Sequence, residues 1–227
     1  MLVAGFPAGS FQTNCYVAAP APGEECVVVD PGQDAVAGLD ELLREHRLKP
    51  VAVLLTHGHI DHVWSVVPVC GARDVPAWIH PDDRDLLSDP AKGFSAETKQ
   101  LFGGLEFTEP DDVRELSDGA TMSLAGLEIT VDHTPGHTRG SVTFRTPYED
   151  TQILFSGDLL FAGSIGRTDL PGGDYPTILR SLARTMTLPD DTTVLPGHGP
   201  QTTIGRERAT NPYVREAAPH EGPSRGI

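Results

Sequence analysis

Short continuous apolar runs predict buried β-strands at four places along the chain. These runs are Cys26 to Val29, Val51 to Leu55, Ile153 to Phe155 and Thr193 to Leu195. A run without polar alternation is typical of a strand that is covered on both faces, as in the sheets of α/β proteins. We therefore expect these strands to lie inside the protein, with other layers packed on both sides.

Two segments have the periodicity of amphipathic helices. The first places apolar residues at spacings of four, three and one, at Ala35, Leu39, Leu42 and Leu43. Asp34 precedes this segment as a candidate N-cap, and the second segment runs from about Tyr175 to Met186. Because the first helix separates two predicted strands, the strand-helix-strand order predicts a parallel strand pair.

The middle of the chain has a different pattern, in which glycine and proline interrupt short alternating runs between Val113 and Phe144. Leu127 to Val131 and Ser141 to Arg145 are predicted to be antiparallel neighbours. The combined pattern predicts an α/β fold, an αββα sandwich in which helices flank two stacked mixed β-sheets. We expect one domain over residues 1–210, followed by a polar tail at residues 211–227 that frays.

The composition argues against several classes of protein. The net charge of −15 over 227 residues would repel a nucleic acid, and lysine and arginine form no basic patch. No apolar run approaches the roughly 18 residues of a membrane span, and the N-terminus lacks the pattern of a secretory signal. Cys15, Cys26 and Cys70 form no CxxC pair, which argues against disulfides and a thiolate metal site. We therefore expect a cytoplasmic protein without nucleic-acid or membrane partners.

The segment Thr56-His57-Gly58-His59-Ile60-Asp61-His62 follows directly after a predicted strand. It places four metal-binding side chains within six residues, and imidazole with carboxylate is the ligand set that borderline divalent cations prefer. His57 and His59 alternate on an extended loop and can share one ion. Asp61 and His62 follow where a helix begins, so we expect them to face a second ion. The alternative interpretation is a polar loop that happens to be rich in histidine.

Three further motifs with candidate ligands also follow apolar runs and contain glycine. Their candidate ligands are His137, Asp158 and His198. Glycine permits tight turns at strand ends, and α/β proteins place their sites where such ends meet at one edge of a sheet. Together with the first motif, these residues predict a site with two metal ions and one aspartate between them.

Two other residues each have two interpretations. Asp30 either forms a turn or orients a metal ligand through a hydrogen bond, and we favour the second role. His133 either orients a neighbouring ligand or caps a turn. The remaining histidines, His46, His80 and His220, are interpreted as ordinary loop residues.

The order of these motifs resembles the metallo-β-lactamase fold superfamily over residues 1–210. The resemblance implies that a first metal is held by His57, His59 and His137. It implies that a second metal is held by Asp61, His62 and His198, with Asp158 bridging the two ions. It also implies hydrolysis by a hydroxide that is held between two divalent cations and oriented by Asp61 as the catalytic residue. Zinc is expected, although iron or manganese also suits this ligand set.

Two shorter motifs resemble the glyoxalase II, or hydroxyacylglutathione hydrolase, branch of that superfamily. They are Gly157 to Phe161 and Gly166 to Asp169. This resemblance implies a thioesterase for S-2-hydroxyacyl-glutathione or a related small-molecule thiol ester, with Arg167 binding the substrate's carboxylate. The equally weighted alternative is that Arg167 closes a loop onto Asp169. Only 29 residues follow His198, so we expect a short form without the full C-terminal helical region of that branch.

Other functions of the same fold stay open. A persulfide dioxygenase would hold a single iron with two histidines and one aspartate, and it resembles this chain in Gly166 to Asp169. A lactonase or β-lactamase is less favoured, because no secretory signal is recognisable. A non-catalytic metal-binding module would close its ligands tetrahedrally around each ion. The sequence does not decide between a monomer and a homodimer.

Overall fold

The computed structural model describes residues 1–102 and 104–217, which form two six-stranded mixed sheets. The first sheet contains, in spatial order, β1 (Leu2–Ala8), β2 (Thr13–Ala19), β3 (Glu25–Val29), β4 (Lys49–Leu54), β5 (Ala77–Ile79) and β6 (Val113–Glu115). The pairing from β1 to β3 is antiparallel, and the pairing from β3 to β6 is parallel. The predicted parallel pair of β3 and β4 is therefore confirmed.

The second sheet follows the first along the chain. It contains β7 (Thr121–Leu124), β8 (Leu127–His133), β9 (Val142–Tyr148), β10 (Thr151–Gly157), β11 (Thr193–Pro196) and β12 (Thr202–Thr203). The pairing from β7 to β10 is antiparallel, β10 and β11 are parallel, and β12 is antiparallel to β11. β8 and β9 are the antiparallel neighbours that the alternating runs predicted.

Helices cover the outer faces of both sheets. They are α1 (Ala35–His46), α2 (Ile60–Val63), α3 (Val66–Arg73), α4 (Ala96–Phe102), α5 (Tyr175–Thr185), α6 (Ile204–Thr210) and α7 (Pro212–Ala217). α1 and α3 pack on the first sheet, and α5, α6 and α7 pack on the second. The αββα sandwich predicted from the sequence is confirmed. None of the helices in the described part of the chain combines the length and apolar composition that crossing a bilayer requires.

The central strands explain why the apolar runs are continuous. In β3, Cys26 and Val28 face the helices α1 and α3, whereas Val27 and Val29 face the second sheet. Successive side chains of a strand point to opposite faces, and both faces are covered here. Fully burying a side chain such as valine contributes about 1.5–3 kcal/mol, so each position from Cys26 to Val29 adds to the stability of one core or the other.

The N-terminus of α1 differs from the sequence prediction. Asp34 precedes the helix, but it lies in the left-handed region at φ 55° and its side chain makes no capping hydrogen bond. The backbone N–H of Ala35 donates instead to Ser65 Oγ and to the Gly32 carbonyl, each at 3.3 Å. A contact from a distant segment replaces the local cap, and local sequence does not reveal such a contact.

The beginning of the predicted tail is ordered, which corrects the expectation that the chain frays after Asn211. Asn211 is fully buried, and α7 packs against α5. The side-chain amide of Asn211 donates to Ser164 O at 3.0 Å and to Glu207 Oε2 at 2.9 Å. Residues 218–227, which include His220, lie outside the described residues, so fraying there stays a prediction.

Replacing Asn211 with alanine is expected to lower the free energy of unfolding by about 1–3 kcal/mol, because buried partners lose their hydrogen bonds. Urea denaturation followed by circular dichroism measures this change. Gln201→Ala removes an exposed amide and serves as the control, with an expected effect within about 0.5 kcal/mol. Equal stabilities of the two variants would show that the segment after residue 210 is not part of the folded core.

Candidate metal centre

The loop after β4 carries the first candidate ligands. His57 and His59 lie on this loop, and Asp61 and His62 lie in the single turn of α2. The predicted change from extended loop to helix is therefore confirmed. Gly58 has to be glycine between the two histidines, because a Cβ there would lie only 2.7 Å from the Cβ of a leucine in the neighbouring 3₁₀ segment, Pro81–Leu86.

Three strand ends of the second sheet bring the other candidate ligands to the same place. His137 lies between β8 and β9, Asp158 follows β10, and His198 follows β11. The loop after β11 approaches Asp158 so closely that a Cβ on Gly197 would collide with Asp158 Oδ1. The structure thus places all the predicted motifs at one edge of the sandwich.

The first group of candidate ligands consists of three buried imidazoles. His137 Nε2 lies 3.2 Å from His57 Nε2 and 2.8 Å from His59 Nδ1. Ring nitrogens that share a tetrahedral zinc ion lie roughly 3.4 Å apart, because each Zn–N distance is about 2.0–2.1 Å. The three nitrogens are therefore close enough to hold one ion together.

Hydrogen bonds on the far side of two of these rings determine which nitrogen has a lone pair. His137 Nδ1 donates to the Arg167 carbonyl at 2.7 Å. Thr56 Oγ1 donates to Asp30 Oδ2 at 2.6 Å, so it accepts from His57 Nδ1 at 3.1 Å. The Nε2 atoms of both histidines therefore carry lone pairs that point into the group. Facing lone pairs repel each other unless a cation lies between them.

The second group consists of Asp61, His62 and His198. His198 Nε2 lies 3.1 Å from Asp61 Oδ2, and His62 Nε2 lies 3.5 Å from the same oxygen. His62 Nδ1 donates to Asp30 Oδ2 at 2.9 Å, which leaves Nε2 as the free nitrogen. These are the residues predicted for a second ion, and their donor atoms also converge.

Asp158 lies between the two groups. Its Oδ2 is 3.4 Å from His137 Nε2, and its Oδ1 is 3.3 Å from His62 Nε2. Asp158 Oδ1 and His62 Nε2 are buried and have no hydrogen-bond partner among the described residues. Buried polar atoms without partners are costly and are usually explained by a function or an unseen ion. The donor set therefore fits a divalent cation on each side of Asp158.

Burial keeps His57 and His59 neutral. Burial, reinforced by the neighbouring His62, lowers the pKa of His57 well below its usual value. Burial, reinforced by His137, lowers the pKa of His59 to about 3. Neutral imidazole is the form that binds metals, so these rings are ready to coordinate at neutral pH.

In the second group, the charges of the carboxylates outweigh burial in setting the pKa of His62. Burial acts to lower the pKa of His62, but the charges of Asp61, Asp158 and Asp30 outweigh it and raise that pKa well above its usual value. Burial acts to raise the pKa of Asp61, but His62 and His198 outweigh it and lower that pKa. The second group therefore attracts positive charge, which a proton or a metal cation can supply.

The structure gives different roles to Asp30 and His133, the two residues that were considered as groups that orient a ligand. Asp30 accepts from His62 Nδ1 and from Thr56, so it contacts one ligand directly and another through the threonine. His133 donates through Nε2 to the Arg139 carbonyl at 2.9 Å, and its ring stacks on His80. Among the described residues its contacts include none of the seven candidate ligands, which corresponds to the turn-capping interpretation.

His80, Asp82 and His133 form a further cluster of potential ligands. The two imidazoles are stacked with ring centroids 4.0 Å apart and an interplanar angle of 9°. An ion between parallel rings would lie outside both ring planes, where neither lone pair points. His80 Nδ1 also already accepts from the Asp82 backbone N–H, so this cluster is not arranged to bind a metal.

Asp83 is a buried carboxylate that the sequence analysis missed. Its Oδ2 accepts from the Gly58 backbone N–H at 2.9 Å and from Thr138 Oγ1 at 2.6 Å. Its Oδ1 accepts from the Gly140 backbone N–H at 2.7 Å. Burial raises the pKa of Asp83, and these hydrogen bonds act against that rise. One carboxylate thus joins the loop of His57 to the loop that follows β8.

Strand β2 holds the second group in a similar way. Thr13 Oγ1 donates to Asp61 Oδ2 at 3.0 Å. Asn14 Nδ2 donates to the carbonyls of Pro196 and Gly199, on either side of His198. These polar residues follow no glycine-containing motif, so nothing in the sequence distinguishes them from other strand residues.

A cleft of about 490 Å³ opens above the candidate ligands. Its apolar walls come from Phe11, Ile60, Phe94, Phe161, Ile165 and Leu170. Arg167 lies at this cleft, and its guanidinium makes two hydrogen bonds to the Asp169 carboxylate at 2.8 and 2.7 Å. A larger cavity of about 910 Å³ at the β1 edge of the sandwich contains none of the candidate ligands, so we assign the chemistry to the smaller cleft.

Replacing Asp83 with alanine is expected to weaken metal binding by about 10- to 100-fold, the range typical of residues that orient ligands. Competition with a chromophoric chelator measures this affinity. Asp82→Ala removes the neighbouring exposed carboxylate and is expected to change the affinity less than about twofold. Asp83→Asn keeps one acceptor oxygen, so its metal affinity should lie between those of Asp83→Ala and Asp82→Ala. Equal affinities for the alanine variants at positions 82 and 83 would contradict the positioning role.

Two relatives are similar in sequence to this chain over almost its whole length. The chain is 50% identical over 219 residues to an uncharacterized protein of Mycobacterium tuberculosis, covering 94% of this chain and 98% of that protein. It is 34% identical over 212 residues to the hydroxyacylglutathione hydrolase GloC of Haemophilus influenzae, covering 92% and 95% of the two chains.

Two solved structures resemble the fold over almost its whole length. The BLEG-1 B3 metallo-beta-lactamase has a TM-score of 0.83 and 38% identity, covering 93% of this chain and 99% of that chain. TTHA1623, crystallised in a di-iron-bound form, has a TM-score of 0.76 and 40% identity, covering 94% and 100%. The family model of the metallo-beta-lactamase superfamily matches residues 8–198. This match spans every candidate ligand, and the chain belongs to the metallo-beta-lactamase superfamily.

Proposed function

We propose that this protein is a binuclear metal-dependent hydrolase that cleaves thioesters of the S-2-hydroxyacyl-glutathione type or related thiol esters. The observation that carries the proposal is the convergence of two groups of lone pairs and carboxylates on either side of Asp158. Similarity to GloC, described as a hydroxyacylglutathione hydrolase, supports the thioester class. Similarity to a protein with a di-iron-bound form supports two ions. Zinc remains our proposed metal, with iron or manganese as alternatives.

In this proposal His57, His59 and His137 hold one cation, and Asp61, His62 and His198 hold the other. Bound divalent cations would supply Lewis acidity and lower the pKa of a water ligand to about 7. Thr13 restrains the Asp61 carboxylate by donating to its Oδ2 at 3.0 Å. The role of Asp61 is therefore to bind and to orient in one fixed conformation, as positioned catalytic groups require.

The cleft favours substrates whose leaving group needs no proton donor. Among its described lining residues there is no lysine and no tyrosine, and every histidine and aspartate is a candidate metal ligand, so no common general acid is left over. A thiolate leaves readily, because the pKa of its conjugate acid is about 8.5. An amine leaving group is far more basic. This difference favours a thioester over an amide as the natural substrate.

Metal content and activity together test the assignment of ligands. We expect about two metal equivalents per chain in the wild type and about one in His59→Ala, with hydrolysis reduced at least about 100-fold. Asp61→Ala should lose activity to a similar extent. Elemental analysis and a thiol-release assay provide the measurements, and circular dichroism verifies folding. His46→Ala, a histidine on α1, is the matched control and should retain both metals and activity.

A substrate panel tests the reaction class on metal-quantified protein. We expect hydrolysis of S-D-lactoylglutathione or another thioester to exceed hydrolysis of a chromogenic β-lactam by at least about tenfold. The reason is that the thiolate of a thioester leaves without protonation, whereas the amine of a β-lactam does not. The β-lactam is included because BLEG-1 is described as a metallo-beta-lactamase. Oxygen uptake with glutathione persulfide and a single equivalent of iron would instead identify a dioxygenase. Absence of thioester cleavage by protein with both metals would refute the proposal.

A further inference from the structure

Three acidic side chains are buried in the described part of the chain without being candidate metal ligands. They are Asp30, Asp83 and Glu207. Burying a carboxyl group is costly unless its oxygens accept hydrogen bonds. Asp30 and Asp83 hold candidate ligands and the loops that carry them. Glu207 lies in α6, and its hydrogen bonds among the described residues reach none of the seven candidate ligands. The metal centre therefore does not explain its burial.

Glu207 accepts hydrogen bonds with both of its carboxyl oxygens. Its Oε1 accepts from Thr202 Oγ1 at 2.6 Å. Its Oε2 accepts from the Gly163 backbone N–H at 2.8 Å and from the side-chain amide of Asn211 at 2.9 Å. The same amide donates to the Ser164 carbonyl at 3.0 Å. Glu207 and Asn211 thus join the C-terminal helical segment to the loop that follows β10.

This loop folds back on itself in a tight turn at residues 161–164. The Phe161 N–H donates to the Ser164 carbonyl at 3.0 Å, and the Ser164 N–H donates to the Phe161 carbonyl at 3.3 Å. Gly163, at the tip of the turn, has a φ of 76°, in the left-handed region that favours glycine. The flanking residues 160 and 165 are buried, whereas the turn is partly buried or exposed. Since apolar packing covers the turn only in part, its conformation depends on hydrogen bonds from the C-terminal segment.

The turn forms one wall of the cleft above the candidate ligands. Phe161 and Ser164 line the cleft, and the Phe161 ring meets the His198 ring edge-on with centroids 6.0 Å apart. The base of the loop is closed by a separate hydrogen bond, from the Gly166 N–H to the Asp158 carbonyl at 3.0 Å. Loosening the turn should therefore disturb the wall that a substrate contacts and leave Asp158 in place.

We propose that Glu207 is a positioning residue for substrate binding, which fixes Phe161 in the cleft wall by accepting from the Gly163 N–H. This inference rests on the proposed function in one respect, which is that the substrate reacts in this cleft. Through Glu207, the two short C-terminal helices shape the cleft without contacting the substrate themselves.

Replacing Glu207 with alanine releases the turn, so that a substrate has to order Phe161 when it binds. We expect Glu207→Ala to raise the KM about three- to tenfold and to change kcat less than about twofold, because the metal ligands keep their hydrogen bonds. Glu207→Gln should keep the KM within about twofold of the wild type, since the amide oxygen can still accept from Gly163 and the Thr202 hydroxyl can accept from the amide nitrogen.

Three further variants separate positioning from general stability. Thr202→Val removes only the hydrogen bond on the side of Glu207 that faces away from the turn, so it should raise the KM less than Glu207→Ala. Leu43→Ala weakens the core on the other sheet and should lower stability without raising the KM. Asn211→Ala loosens the same turn through Ser164, so it should raise the KM in the same direction if Glu207→Ala does not fold.

A double-mutant cycle tests whether Glu207 acts through Phe161. The metal-quantified full chain is assayed with the panel compound that it cleaves best, as wild type, Phe161→Ala, Glu207→Ala and the double variant. Phe161→Ala alone should raise the KM, and adding Glu207→Ala should raise it less than about twofold further. Additive effects on the KM would overturn the inference. An equal rise of the KM in Leu43→Ala, or a rise in Glu207→Gln as large as that in Glu207→Ala, would also overturn it.

Hydrogen exchange separates failure of this inference from failure of the proposed function. Exchange of the peptide spanning residues 159–166 is followed by mass spectrometry in the wild type, Glu207→Ala and Leu43→Ala. Faster exchange in Glu207→Ala alone supports the role of Glu207, and equal exchange in all three overturns it. If the protein with both metals cleaves no thioester, the proposed function fails, and the exchange result still decides the inference. If thioesters are cleaved and Glu207→Ala keeps the wild-type KM, the inference fails by itself.

Discussion

The site depends on one electrostatic constraint, which is that lone pairs and carboxylates face each other inside the protein. Asp30 and Thr56 bind the far sides of His62 and His57, and a backbone carbonyl binds the far side of His137. Each ring therefore directs its other nitrogen toward its neighbours, and Asp61 and Asp158 add carboxylate oxygens to the same centre. Such an arrangement is unfavourable by itself and becomes favourable when positive charge occupies the centre. The fold keeps the donor atoms in place, and a cation would supply the charge that they require.

The four-layer sandwich holds these side chains together, because strands of both sheets end at the same edge. Strands buried on both faces cannot shift without exposing apolar surface, so the loops at their ends start from fixed points. Asp83 then joins loops from the two sheets through three hydrogen bonds. Gly58 and Gly197 allow approaches that any side chain would block. Rigidity of the layers and close contact between the loops together hold the candidate ligands in place.

Residue type and spacing were sufficient to predict the fold class and which side chains would meet, because strand periodicity and metal-binding motifs are local signals. They were insufficient where a distant contact decides the outcome. Asp82 and Asp83 are neighbours of the same type, yet one is exposed and the other is fully buried among backbone donors. Asp34 precedes a helix and still does not cap it, since Ser65 takes that role. Asn211 belongs to a polar segment, but its amide is buried and donates to the loop of Ser164 and to Glu207 in α6. Local sequence does not encode any of these partners.

Arg167 shows how the same motif can support opposite interpretations. A guanidinium beside a metal site suits an anionic substrate, whereas a carboxylate two residues away binds the same guanidinium within its own loop. The internal pair requires no association of a second molecule, and this gives it an entropic advantage over a substrate carboxylate. The pair uses Nε and one hydrogen of Nη2, so the guanidinium keeps three N–H donors for a further acceptor. Asp169 therefore holds the Arg167 guanidinium at the cleft without using all of its donors, so the contact within the loop does not exclude a role for Arg167 in binding a substrate.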